Sequence, residues 1–161
     1  MVTESFVTCE NIADLIDRFC TFVGTSEPDF FSLDIDGNDL YVLRRAMEKF
    51  NPKIVCVEYN AKFPPPLKLS MQYNPRHQWS GDDYHGASLQ AFCDLLSDYE
   101  LVTCNILGSN AFFVKKEYRA LYPTYAVSAL YQPLRLHLRL LAAGHPPSLK
   151  WARDALDDDP A

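Results

Sequence analysis

The chain has 161 residues, of which 48% are hydrophobic and 22% charged, and carries a formal net charge of −6. That is the size and makeup of one globular domain, and the acidic balance without a basic stripe argues against nucleic acid as the main partner. No apolar run is long enough to span a bilayer, and the opening "MVTESFVTCENIADLIDRF" has acids where a signal peptide would have a basic start, so a cytoplasmic protein with no membrane partner is expected.

The five cysteines (Cys9, Cys20, Cys56, Cys93, Cys104) form no C-x-x-C pair, which fits reduced thiols. Ile12, Leu15, Ile16, Phe19 and Cys20 recur at helix spacing, with Thr8 as the expected N-cap and Gly24 as the stop. "FFSLDI" reads as a buried strand between Pro28 and Gly37. Asn38 is expected to cap a second helix whose inner face is Leu40, Leu43, Ala46, Met47 and Phe50, stopped by "NP". "KIVCVEY" has the nearly continuous apolar character of a strand covered on both faces.

Residues 60–85, "NAKFPPPLKLSMQYNPRHQWSGDDYH", show neither period. A loop of that length in a compact domain is usually a binding loop, and Phe63, Tyr73, Trp79 and Tyr84 argue that it is ordered. It is expected to cover a substrate pocket, with Trp79 and Tyr84 among the contacts. "GASLQAFCDLLSDY" is then a third helix, and "ELVTCNI" and "NAFFVKK" are strands joined through "LGSN" as an antiparallel hairpin. In "QPLRLHLRLLAAGHPP", Pro133 suits a first helical turn and Gly144 with Pro146 a stop, so a helix is expected there, with Arg135, His137 and Arg139 on a solvated face. The layout is α/β, with parallel strands and an antiparallel finish. An α/β domain over 1–120 precedes a helical extension over 121–156 and an acidic tail over 157–161.

In open α/β sheets, ligands bind beyond the carboxyl ends of the strands. Asp34 and Asp36 leave the first strand at that edge, and Glu58 and Asn60 leave the second. If those strands are neighbours the four groups converge, as hard oxygen ligands for Mg²⁺ or as a general base raised by like charge. The alternative is a polar turn, with Asp36 accepting N–H bonds from the Gly37 turn and Asp39 favouring the next helix dipole. His85, just before a helix, is either a general base for a hydroxyl substrate or a loop residue packed on Trp79.

"FFSLDIDGNDLYVL", "KIVCVEYNAKF", "YHGASLQAFCDLL" and "ELVTCNILGSNAFFVKKEY", in that order over residues 8–120, resemble the C-terminal half of the FkbM-like S-adenosylmethionine-dependent methyltransferases. The resemblance implies a partial Rossmann-like methyltransferase sheet, with the acidic turn of Asp34, Asp36 and Asn38 beside methyl donor and acceptor. Asp36 and Asn38 are then the cofactor contacts. Related metal-dependent O-methyltransferases hold Mg²⁺ with comparable acids, which implies Asp34, Glu58 and Asn60 here. No G-x-G turn precedes residue 30, so the cofactor half of the pocket is expected to be incomplete. The resemblance makes "FFSLDI" a strand missing a neighbour, and a bare apolar edge is expected to be covered by a second copy, a partner chain or the C-terminal helices. Two functions follow: O-methyl transfer to a small-molecule or sugar hydroxyl, or a non-catalytic methyltransferase-like module for binding or assembly.

Overall fold

The computed structural model describes residues 3–135 and 144–157. Helix α1 (Ile12–Val23) buries Ile12 and Ile16 and ends at Gly24, whose φ of 76° lets its N–H reach the Cys20 carbonyl. Its N-cap is Asn11 rather than Thr8, and the Asn11 Oδ1 accepts from the Thr8 N–H at 2.9 Å. Strand β1 (Phe30–Leu33) leads into α2 (Asp39–Ala46), and β2 (Ile54–Glu58) follows. Leu40, Leu43, Ala46 and Phe50 are buried as their spacing predicts, while Met47 is only partly covered. Helix α3 (Leu89–Leu95) precedes the hairpin of β3 (Tyr99–Cys104) and β4 (Asn110–Lys115).

The four strands form one sheet in the order β1-β2-β4-β3. Strands β1 and β2 are parallel, and β4 runs antiparallel to both β2 and β3. Central β2 buries Val55, Cys56 and Val57, so both of its faces are covered; each such side chain contributes about 1.5–3 kcal/mol by leaving water. Edge strand β1 departs from its expected burial. Only Leu33 is buried, Phe30 is 51% exposed, and Asp34 and Ile35 lie beyond the strand.

After β4 come a 3-10 helix (Lys116–Leu121), α4 (Val127–Leu130) and α5 (Lys150–Asp157). The expected helix from Pro133 does not begin there. Pro133–Arg135 run irregularly along the hairpin tip, where the Arg135 N–H donates to the Leu107 carbonyl at 2.8 Å. The remainder of that expected helix, with His137 and Arg139, lies outside the described residues, as do residues 158–161 of the expected tail. Among the described residues the C-terminal elements pack elsewhere than on β1: α4 packs on β3 and α5 bonds to the long loop. Among the described residues the outer edge of β1 has no strand beside it. An apolar groove of about 230 Å³, lined by Leu15, Ile16, Phe19, Phe30 and Phe31, lies along it. No helix among the described residues is long and apolar enough to cross a membrane.

Candidate functional site

The parallel ladder runs Phe30 opposite Ile54 to Leu33 opposite Val57, so the chain leaves β1 and β2 side by side. One carboxylate oxygen each from Asp34, Asp36 and Glu58 lies within 4.8 Å of the others. These acids line a pocket of about 530 Å³ with His85, Trp79 and His145. The β3–β4 turn lines it too, with Asn110 opposite Glu58 in the ladder; there the Asn105 side chain holds Ser109 and Asn110 by their backbone N–H groups at 2.9 and 3.2 Å.

The acidic turn is built by Asp39, not Asp36. Fully buried Asp39 accepts the Ile35 N–H at 3.0 Å and the Gly37 N–H at 2.9 Å. Between those donors Asp36 takes the left-handed conformation, φ 56°, which Asp tolerates better than most residues. Its own side chain is thereby free to face the pocket. The His77 ring closes the turn from the other side: its Nε2 is 3.1 Å from the Asp36 carbonyl, and a Cβ on Gly37 would sit 2.3 Å from the His77 ring. Burial pushes the Asp39 carboxyl up to about 6 despite its hydrogen bonds.

Glu58 is the most perturbed carboxyl lining the pocket. Its side chain is 19% exposed, and its Oε2 is buried with no hydrogen-bond partner among the described residues. Burial, then the charges of Asp34, Asp39 and Asp36, push it up to about 8. His85 Nδ1 stands 3.9 Å from that oxygen, beyond hydrogen-bond reach. Burial and then His145 hold the His85 imidazole down at about 4, against the pull of Asp36, Asp83 and Asp82. Near neutral pH the two are therefore a carboxylic acid facing a neutral imidazole, not an ion pair. Asp34 is raised by burial and by Asp36, with Asn110 pulling it down.

Other expected site residues have structural engagements. Asn38 makes no side-chain cap; it exchanges two hydrogen bonds with the Asn74 backbone, at 2.7 and 3.2 Å, and so pins the long loop to α2. Asn60 lines the pocket, but its amide donates to the carbonyls of Asp83 and His85 at 2.8 and 3.0 Å, and its Oδ1 accepts the Lys62 N–H. Tyr84 is buried away from the pocket lining, with its hydroxyl donated to Asp154. Trp79 does line the pocket, its indole N–H fixed on the Asp82 carbonyl at 2.7 Å. His85 also packs edge-on to Trp79, with centroids 6.0 Å apart, as the packing alternative expects.

Sequence reasoning did not single out Asp39, His145 or the Asn105–Asn110 turn as parts of a site. The turn's Asn-x-x-x-Ser-Asn spacing was a usable signal, because Asn and Ser side chains habitually bond nearby backbone. His145 had none, since its neighbours Trp79 and His85 lie 60 or more residues earlier in the chain. No family model matches the chain, and neither a curated protein nor a solved structure matches it.

Proposed function

We propose that this chain is a methyltransferase-type α/β module whose acidic pocket receives the hydroxyl acceptor of an O-methyl transfer. The observation that carries the reading is the meeting of Asp34, Asp36, Glu58 and His85 at the carboxyl edge of the parallel pair, inside a pocket. Such edges are where α/β sheets bind their ligands. Neutral His85 is suited to accept a hydrogen bond from the hydroxyl, Asp34 and Asp36 to orient it, and Trp79 with His145 to restrict water.

The donor set fits a divalent cation, held by Asp34, Asp36 and the otherwise unpartnered Glu58. Such an ion would supply Lewis-acid polarisation of the acceptor oxygen. The fit to S-adenosylmethionine is incomplete. Among the described residues the pocket lining offers carboxylates and amides but no glycine-rich strand-to-helix turn.

Calorimetric titration tests the reading. Mn²⁺ is expected to bind near pH 7 with release of a proton from Glu58, and Asp34→Asn is expected to weaken binding about ten-fold or more. Identical isotherms for the two proteins would remove the cation. Titration of S-adenosylmethionine into the Mn²⁺-loaded chain is the second arm; no heat there favours the binding or assembly module. The bare, apolar edge of β1 is the observation that speaks for that second reading, as a seam completed by a second copy or a partner chain.

A further inference from the structure

Part of the pocket wall lies outside the sheet: Trp79 and His85 come from the long loop and His145 from the C-terminal segment. Residues 144–157 lie across the long loop, and their contacts fall into two groups. The first ties the segment down. Ser148 N–H donates to Asp83 Oδ1 at 2.8 Å, the Asp83 N–H donates to the Pro146 carbonyl at 3.0 Å, and Asp154 receives the Tyr84 hydroxyl. Trp151 packs edge-on to Phe63 and tilted against Tyr84, with centroids 4.8 Å from each. The second group reaches the pocket. His145 stands edge-on to Trp79 at 4.9 Å and to His85 at 5.7 Å, and lines the pocket with both.

A direct mechanical link joins the two groups. Lys150 Nζ pairs with the Asp82 carboxylate at 3.0 Å, while the Asp82 carbonyl accepts the Trp79 indole N–H. Docking of α5 therefore braces the ring that forms the pocket wall. Apart from the half-buried Trp151, the joint is polar. No residue of α5 is buried, and Leu149 and Leu156 are 86% and 76% exposed. Elements with little buried apolar surface open locally at a small fraction of the global unfolding free energy.

We propose that residues 144–157 are a releasable clasp: docked, they close the acidic pocket with His145 and hold Trp79 in place; released, they open its side to a ligand. The clasp works whichever ligand the pocket takes, so its failure and that of the methyl-transfer reading are separate results.

Hydrogen exchange is read on the full chain of native sequence and its variant. Quenching alone is read in a Trp151→Phe background, which leaves Trp79 as the sole tryptophan, with the same background as its reference because Trp151 is itself a contact of the segment. Lys150→Ala with Asp154→Asn weakens the joint without altering a residue that lines the pocket. Hydrogen exchange of residues 145–157 is expected to be faster than that of β2 and β4 already in the unsubstituted protein, and faster again, by about ten-fold, in the double variant. Acrylamide quenching of Trp79 is expected to rise in parallel, with β2 and β4 exchange unchanged. If residues 145–157 exchange as slowly as β4 before substitution, the segment is core and not a clasp. If their exchange rises in the variant while Trp79 quenching does not, the segment does not close the pocket.

Discussion

Replacing Glu58 by glutamine isolates the electrostatic strain at the pocket. The folded carboxyl titrates near 8 against an ordinary 4.5, so between those values the folded chain holds a proton that the unfolded chain has lost. Stability contributed this way is full below pH 4.5 and falls as pH rises through 8. His85 acts in the opposite sense: with its folded value near 4 against an ordinary 6.5, stability is full above 6.5 and lost on acidification through 4. Asp39, raised from 3.8 to about 6, has the same sign as Glu58 but is largely spent by pH 6.5. Between pH 6.5 and 8 the Glu58 contribution dominates: half titrated in the fold at pH 8, it loses about 1.7 kcal/mol over the interval, against which the end of the unfolded-state His85 titration restores about 0.4 kcal/mol. The five thiols, all raised chiefly by burial, add a small loss of the same sign toward pH 8, but it is common to wild type and Glu58→Gln, so the difference between the two proteins isolates the carboxyl. Urea unfolding at pH 6.5 and pH 8.0 is the assay. The wild-type chain is expected to lose about 1.7 kcal/mol more across the interval than Glu58→Gln, which keeps the shape without the charge. A wild-type stability that is flat over the interval, or an equal loss in both proteins, would refute the assignment of a strongly raised carboxyl at the end of β2.

Two further outcomes rest on geometry. Gly37→Ala drives a methyl to within 2.3 Å of the His77 ring; His77 must move off the Asp36 carbonyl, at an expected cost of about 1–3 kcal/mol by thermal or urea unfolding, with weaker Mn²⁺ binding as the local readout. Phe30→Lys places a charge on the open edge of β1 where the native ring is 51% exposed. If that edge is a seam, light scattering is expected to show a shift from assembly to monomer; an unchanged mass would place any assembly elsewhere.

The parts of the fold legible in the sequence are those set by short-range pattern. Helix α1 follows from its apolar spacing and from Gly24, and β2 from its unbroken apolar run between turns. The convergence of Asp34, Asp36 and Glu58 followed from adjacency of two parallel strands. What escaped were side chains held by hydrogen bonds to partners remote in the chain. Asn38 looks like a cap until Asn74, 36 residues on, takes both ends of its amide. Tyr84 looks like a pocket aromatic until Asp154, 70 residues on, takes its hydroxyl. Pro133 suits a helix start, yet a Cβ on Gly108 would come within 2.3 Å of the Pro133 carbonyl: that segment is pressed against the hairpin tip instead of turning. Polar groups choose among partners that tertiary structure brings near, and no period in the sequence encodes the choice.

The acidic turn and the open edge are two ends of one physical problem. A strand with neighbours on both sides has its register fixed twice, whereas β1 is fixed once, by β2. A slip of one residue would turn Asp34 to the opposite face and leave Glu58 without its companions. The restraints that prevent it are concentrated just past the strand: Asp39 holds the Ile35 and Gly37 amides, and His77 presses on Gly37 from the loop side. Leu33, the one buried side chain of β1, anchors the strand at the end nearest the acids, while Phe30 at the far end stays exposed. The strand is thus best ordered where the carboxylates need it and least committed where a further strand would begin to pair. A chain that occupied the outer edge would add ladder bonds along β1 and stiffen the turn from its other end, so that the seam and the pocket would strengthen together.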